Sequence, residues 1–166
     1  MKFRSILTVT ALILIMFMAA IETSIISLAL PTIKINLHAG NLVSLVFTVY
    51  FIALVIANPI VGELLSRFKK LYIAVAGVSL FAIGSLMSGL SETFTFLIIS
   101  RMIQGFGAGV MMSLSQIVPK LAFEIPLRYK IMGIVGSVWG ISSIIGPILG
   151  GACLLYTSDA ADDSLR

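Results

Sequence analysis

Long apolar runs, separated by short polar connections, dominate the sequence. Five of these runs are long enough to cross the hydrocarbon core of a bilayer, which takes about 20 apolar residues in a helix. They cover residues 6–30, 43–65, 71–90, 94–118 and 131–152. The pattern predicts an all-α integral membrane protein with about five transmembrane helices, and we expect Pro31 to mark the end of the first helix.

The composition favours the same class. Hydrophobic residues make up 59% of the 166 positions and charged residues only 11%, whereas a soluble domain carries roughly 25% charged residues. The mean hydropathy is +1.14. The single cysteine, Cys153, excludes an intrachain disulfide and a cysteine-rich metal site. We expect no metal, no cofactor and no enzymatic activity.

The distribution of positive charge indicates the orientation. Lysine and arginine concentrate near the N-terminus and in the connections after the second and fourth runs, whereas the other two connections hold Lys34 alone. By the positive-inside rule, this asymmetry predicts a cytoplasmic N-terminus. The net charge of +4 is divided among short connections and forms no continuous basic face, so we expect no nucleic-acid partner. The positive residues on the predicted cytoplasmic side are Lys2, Arg4, Arg67, Lys69, Lys70, Lys120, Arg128 and Lys130.

The C-terminal residues do not continue the apolar pattern. They read CLLYTSDAADDSLR and hold three of the seven acidic residues of the chain. Residues 153–163 resemble the translation of a transposase adapter used in sequencing libraries, so we interpret residues 153–166 as a non-native, adapter-derived tail. The alternative is a genuine polar tail. On the adapter interpretation, residues 1–152 form a truncated N-terminal transmembrane bundle, and the natural protein continues past Ala152.

Two charged residues lie inside predicted spans at matching depth. Glu22 lies eight residues before the end of the first run, and Arg101 lies seven residues after the start of the fourth. With a rise of about 1.5 Å per residue, both lie roughly 10–12 Å below the outer face. An ionisable residue inside the membrane indicates function, and these two are candidate partners in proton coupling. The alternative is that each side chain reaches the interface alone, which glutamate is too short to do.

A carboxyl group in such a place is suited to exchanging protons. Burial and a neighbouring guanidinium shift the pKa of a carboxyl in opposite directions, so the group can titrate near working pH. Gln104, three residues after Arg101, shares its helix face, and Gly105 follows, where a neighbouring helix can pack closely. Gln104, together with Tyr50 on the second span, is a candidate residue of the substrate cavity. The sequence therefore predicts a polar site around Arg101.

Three stretches resemble signature motifs of the major facilitator superfamily, most closely those of its drug:proton antiporters of the fourteen-span kind. They are IETSIISLALPTI at residues 21–33, RMIQGFGAGV at 101–110 and GISSIIGPILGG at 140–151. The resemblance covers residues 1–152 and implies the N-terminal part of a facilitator bundle. It implies that Glu22 is the first-helix acid and that Arg101 and Gln104 belong to proton coupling. It also implies close helix packing through the antiporter motif, at Gly140, Gly146, Pro147, Gly150 and Gly151.

The connection between the second and third spans departs from the family's pattern. The family's loop resembles G-x-L-A-D-R-x-G-R-K, whereas this chain reads GELLSRFKKL at residues 62–71. Gly62, Arg67 and Lys70 match the cytoplasmic gate motif, but Ser66 stands in place of the aspartate. Glu63, one turn earlier, either supplies the missing charge or simply faces water.

Together these features predict proton-coupled efflux of drugs or other amphipathic small molecules across the plasma membrane. The partners would be the lipid bilayer, the amphipathic substrate and protons, with the substrate held between two helical bundles in the complete protein. One alternative is a facilitator-fold solute symporter, which the antiporter-like fifth span disfavours. Another is a small, non-transporting membrane protein complete at five spans.

Overall fold

The computed structural model describes the backbone of residues 3–37 and 39–163, and the side chains of residues 6–37 and 39–148. The described elements are all helical, and each of the five α-helices contains a stretch long and apolar enough to cross a membrane. The predicted all-α membrane fold is therefore confirmed. The elements are α1 (Phe3–Asn36), a short 3₁₀ helix (Gly40–Ser44), α2 (Leu45–Arg67), α3 (Lys70–Gly89), α4 (Phe94–Ala122) and α5 (Leu127–Asp163).

The end of α1 differs from its prediction. Pro31 lies inside the helix, which continues to Asn36. A proline removes one N–H donor, but the ladder resumes beyond it, and the N–H of Leu37 donates to the carbonyl of Ile33 at 3.0 Å. Lys34 in the last turn also favours this longer helix, because a positive charge near a helix C-terminus interacts favourably with the helix dipole.

The connections around α4 are short and closed by specific hydrogen bonds. Thr93 caps the start of α4, where its hydroxyl accepts from the N–H of Phe96 at 3.3 Å. At the other end, the Arg128 guanidinium donates to the carbonyls of Lys120 at 2.8 Å and Phe123 at 3.3 Å. These bonds supply donors to carbonyls that a helix end leaves unpaired.

The chain divides into two compact units. One contains α1 up to Pro31 together with α5 from Gly133 onward, and the other runs from Thr32 to Met132. In the first unit, the buried positions recur every three or four residues, as expected for one helix face. They include Leu12, Met16, Ala19 and Ala20 on α1 and Val135, Val138 and Ser142 on α5.

In the second unit, α4 is the central helix, because both α2 and α3 pack against it. Small residues permit the close approach. A Cβ placed on Gly107 would lie 2.5 Å from the backbone nitrogen of Phe81 on α3 and 2.8 Å from the carbonyl oxygen of Gly77. Nearer the C-terminus of α4, an apolar cluster joins all three helices and consists of Ala57, Val61, Ile73, Val110 and Leu114.

The outer faces of α2 and α3 are apolar and exposed. Val55 on α2 is 63% exposed and Leu71 on α3 is 70% exposed. In a soluble protein, apolar faces of this extent would signal an interface. On helices of membrane length, they are the surface that lipid covers.

Candidate functional site

Arg101 is fully buried on α4, about two turns after the start of the helix. Its exposed fraction is 0%, and that of Gln104 is 1%. The two residues are three positions apart on α4 and therefore share a face. The Nη1 of Arg101 donates to the Oε1 of Gln104 at 2.6 Å. The structure thus brings together the two α4 residues that the sequence analysis selected.

Tyr50 on α2 completes a cluster around this arginine. The Cζ of Arg101 lies 4.5 Å from the centre of the Tyr50 ring, which is cation–π geometry. Tyr50 is 1% exposed. The structure therefore places Tyr50, a predicted cavity residue, directly against the arginine. We refer to Tyr50, Arg101 and Gln104 as the arginine cluster.

The free energies of its contacts explain how the membrane tolerates the charge of Arg101. An arginine at the centre of a spanning helix costs about 2.5–3.5 kcal/mol on insertion scales. A hydrogen bond to a charged group contributes roughly 1.5–3 kcal/mol, and a desolvated cation–π contact contributes about 2 kcal/mol. The contacts with Gln104 and Tyr50 are thus of the size needed to offset the cost of burying Arg101.

Glu22 lies on α1, in the unit formed by α1 and α5. Its side chain is half-buried. The neighbouring hydroxyls of Thr23 and Ser24 both donate to the carbonyl of Ala20, at 2.8 and 3.2 Å. Arg101 belongs to the other unit, so the pairing of Glu22 with Arg101 stays a prediction from their matching depth.

The gate motif at the end of α2 contains an ion pair. Nη2 and Nε of Arg67 donate to the same Glu63 oxygen, at 2.8 and 3.1 Å. The hydroxyl of Ser66 donates to the backbone carbonyl of Glu63 at 2.6 Å. Glu63 thus places a carboxylate beside the motif arginine, although both side chains are well exposed, at 63% and 71%. Lys70 is also exposed, and a Cβ on Gly62 would meet nothing within 4 Å among the described residues.

The antiporter motif on α5 makes one close helix contact. A Cβ on Gly146 would collide with the Cβ of Ser24 on α1 and would lie 2.6 Å from its Oγ. Within the described part of the chain, a Cβ on Gly140 would meet nothing within 4 Å. Pro147 lies inside α5. Gly150 and Gly151 lie outside the residues whose side-chain surroundings the structure describes.

A polar contact between α2 and α4 was not predicted from the sequence. The hydroxyl of Ser113 donates to the Oδ1 of Asn58, and the Nδ2 of Asn58 donates to the carbonyl of Leu54 at 3.2 Å. Asn58 is the only amide side chain within α2. That isolated amide in an apolar run was the available signal.

Two further polar groups are buried on α5. Trp139 Nε1 and Ser142 Oγ have no hydrogen-bond partner among the described residues. They are three residues apart, and Ser142 is one turn before Gly146, so all three share a face. Ser142 was not among the residues predicted from the sequence. In the described ranges, no group of three His, Cys, Asp or Glu side chains is placed to hold a metal ion.

Five membrane-length helices, with an arginine buried on the central one, define a multi-pass helical membrane protein with a charged interior site. The sequence profile of the Major Facilitator Superfamily matches residues 12–158. The chain therefore belongs to the Major Facilitator Superfamily, which confirms the family that its motifs predict. This is a family of transporters and not of enzymes, in agreement with the prediction that the protein is not an enzyme.

Several relatives are similar to most of the chain. It is 78% identical over 158 residues to the multidrug efflux pump SdrM of Staphylococcus aureus, which covers 95% of this chain and 35% of SdrM. It is 33% identical over 145 residues to the multidrug transporter protein MdtP of Bacillus subtilis, covering 87% of this chain and 27% of MdtP. An acurin A biosynthesis cluster transporter of Aspergillus aculeatus is 34% identical over 135 residues, or 81% of this chain and 24% of that protein. The chain thus spans 35% or less of the length of each relative.

Proposed function

We propose that this chain supplies the first five spans of a proton-coupled exporter of drugs or other amphipathic small molecules. The complete transporter, meaning the protein encoded by the intact gene, would bind its substrate between two helical bundles and alternate access around it. Residues 153–166 would be adapter-derived and not part of that protein. The observation that carries the proposal is the 78% identity to a multidrug efflux pump over 95% of this chain.

The arginine cluster supports the proton-coupled part of this proposal. A buried guanidinium in a spanning helix is costly and is expected where it serves a function. Two acidic residues fall inside predicted spans, and Glu22 lies eight residues from the end of its span, whereas Glu63 lies only two residues from the end of its own. In the proposed cycle, the Glu22 carboxylate takes up a proton from the outer side, and the carboxyl releases it to the inner side as substrate leaves the cell. Arg101 would favour the charged form of Glu22 if the two lie together.

The distribution of positive charge supports the proposed orientation. Eight lysine and arginine residues lie at the N-terminus and in the connections that we assign to the cytoplasm, against Lys34 alone on the other side. This asymmetry favours a cytoplasmic N-terminus. The plasma membrane is the proposed location, since an exporter of drugs acts at the cell boundary.

The test is a transport measurement on the complete transporter. Resequencing across position 152 recovers the intact gene, which is expressed in bacteria that lack their own efflux pumps. We expect loaded cationic dye to leave energised cells and to stay when a protonophore collapses the proton gradient. Uptake of solute with the proton gradient would instead identify a symporter, and a stop codon soon after Ala152 would identify a five-span protein.

Two variants make the transport test specific. Glu22→Gln removes the titratable group at nearly constant size, so gradient-driven efflux should be lost while the protein still inserts. Glu92→Gln is the matched control, because Glu92 is an exposed acid in the α3–α4 connection and should leave efflux unchanged. Efflux against a gradient by the Glu22→Gln variant would refute Glu22 as the proton carrier.

A further inference from the structure

We propose that Tyr50 is a positioning residue for Arg101 and that Gly105 sets the distance between α2 and α4 that this role requires. Tyr50 then acts on transport by fixing the orientation of the arginine and not by contacting substrate. The consequence for transport rests on the proposed function. The positioning itself rests on the contacts of the α2–α4 unit alone.

Gly105 brings the backbone of Tyr50 against α4. A Cβ at Gly105 would collide with the carbonyl oxygen of Tyr50 and would lie 3.0 Å from both its carbonyl carbon and its Cα. These are backbone atoms, which cannot turn aside as the tip of a flexible side chain can. A side chain at position 105 therefore has to move the whole of Tyr50 away from α4.

Tyr50, on α2, contacts α4 at two positions that are one helical turn apart. Arg101 and Gly105 are four residues apart, so they lie on one face of the helix about 6 Å apart along its axis. The backbone of Tyr50 rests on Gly105, while its ring lies 4.5 Å from the Arg101 Cζ. A displacement of α2 at Gly105 is thus transmitted directly to the ring contact with the guanidinium.

The two partners hold the guanidinium in different ways. Gln104 accepts from Nη1, which fixes a point on the edge of the group. The Tyr50 ring lies 4.5 Å from the central carbon Cζ and restrains the group there without using an N–H donor. The hydrogen bond at Nη1 and the ring contact at Cζ together restrict the orientation of the guanidinium. This orientation decides where its N–H groups point, and a guanidinium is selective for acceptors that match its planar fork.

Gln104 is held at a second glycine contact, from the side of α3. A Cβ at Gly84 would lie 2.6 Å from the backbone nitrogen of Gln104 and 2.7 Å from its Cα. Both partners of Arg101 therefore have their own backbones pressed against a glycine of a neighbouring helix. The arginine cluster depends on the approach of α2 and α3 to α4 as well as on its three side chains.

Nuclear magnetic resonance of the complete transporter in lipid nanodiscs tests the positioning directly. Protons above the face of an aromatic ring resonate upfield, so the side-chain protons of isotope-labelled Arg101 should be displaced upfield. Arg101→Lys assigns the signal by its loss. Tyr50→Phe should keep the displacement, Tyr50→Leu should abolish it, and Gly105→Ala should reduce it.

Phe81→Leu is the matched control for this measurement. Phe81 is an aromatic residue on α3 and is 1% exposed, as is Tyr50. Its loss tests the general effect of removing a buried ring, and the Arg101 signal should stay displaced. The positioning role would be overturned by an Arg101 signal that is not displaced in the wild-type protein. It would equally be overturned by a displacement that survives in Tyr50→Leu.

Transport kinetics separate positioning from substrate contact. In Tyr50→Leu and Gly105→Ala, we expect the maximal rate of efflux to fall several-fold at an unchanged half-saturating substrate concentration. A raised half-saturating concentration at an unchanged maximal rate would mark Tyr50 as a substrate contact and overturn the inference. If the wild-type protein exports nothing, the proposed function fails, whereas the resonance of Arg101 still decides the positioning role.

Discussion

Ser113 on α4 donates a hydrogen bond to the side-chain oxygen of Asn58 on α2. The bond joins two spanning helices in an environment where an unpaired polar group is costly. Hydrogen bonds between membrane helices nevertheless contribute modestly, because the alternative states also find partners. This bond therefore supports the packing of α2 on α4 and does not dominate it.

A double-mutant cycle on this pair measures its contribution. We expect Asn58→Ala and Ser113→Ala to show a coupling energy of about 0.6 kcal/mol, and no more than about 1.7 kcal/mol. The measurement is the free energy of unfolding of the complete transporter in mixed micelles. Ser100→Ala is the matched control, because the hydroxyl of Ser100 donates to Leu97 of its own helix at 2.7 Å. Its coupling to Asn58→Ala should be near zero, and an equal value for both serines would contradict the interhelical bond.

The same substitution should be destabilising at one glycine and nearly neutral at another. Gly107→Ala places a methyl group against the backbone of Phe81, so the free energy of unfolding should fall by about 1–3 kcal/mol, as overpacking does. Gly62→Ala meets nothing within 4 Å among the described residues and should stay within about 0.5 kcal/mol of wild type. Melting in the same detergent compares the two variants. A Gly107→Ala protein as stable as Gly62→Ala would show that α3 and α4 do not pack this closely.

Much of the fold could be predicted because the bilayer imposes a simple rule. A spanning helix must be apolar for about 20 residues, and that length is visible in the sequence. The residues at which the helices end were harder to predict from the sequence. Pro31 was expected to end α1, but a proline removes a single hydrogen bond, and the helix continues to Asn36.

The candidate site was predicted on one helix and found on two. Arg101 and Gln104 could be paired from their spacing on α4, because residues three apart share a face. Tyr50 could only be suggested, since no sequence pattern gives the register of α2 against α4. That register depends on the close contact between Gly105, which lacks a Cβ, and the Tyr50 backbone, and only the packed structure reveals this contact. Asn58 was overlooked for the same reason, because its partner Ser113 is 55 residues away.

The Glu63–Arg67 pair should affect stability very little. Both side chains are more than half exposed, and an exposed pair four residues apart on a helix contributes about 0.3–0.5 kcal/mol. We therefore expect Glu63→Gln to lower the free energy of unfolding by no more than this amount. The difference should shrink further at high salt, because salt screens exposed charges. Unfolding at low and high salt makes the comparison.

Transport by the Glu63→Gln variant then reveals whether the pair serves the gate. With stability nearly constant, a slower efflux would identify Glu63 as the carboxylate that replaces the missing aspartate. Adding Ser66→Asp to this variant should restore the rate in that case. If Glu63→Gln exports at the wild-type rate, the carboxylate only faces water.

The orientation of the chain can be tested without transport. A reporter at the N-terminus should be active only if that end is cytoplasmic, as the distribution of positive charge predicts. A tag inserted between Ser91 and Thr93, in the α3–α4 connection, should be labelled by an impermeant reagent from outside intact cells. A second tag between Phe68 and Lys69 should react only after the cells are permeabilised. The opposite labelling of these two tags would reverse the topology and place Glu22 and Arg101 near the inner face instead of the outer one.

Conservative replacement of the buried arginine should be only partly tolerated. Arg101→Lys keeps the positive charge, but a lysine has no planar face to lie on the Tyr50 ring and is more strongly hydrated. Arg101→Ala removes the charge and both contacts. We therefore expect the rate of proton-driven efflux to fall in the order wild type, Arg101→Lys, Arg101→Ala, at comparable protein levels. The distinguishing measurement is the same comparison in a Tyr50→Leu background, where the ring contact is already lost. The difference between arginine and lysine should shrink there, because the planar face no longer has a partner. If the difference is as large as in the wild-type background, the preference for arginine depends on its hydrogen bonds and not on the ring of Tyr50.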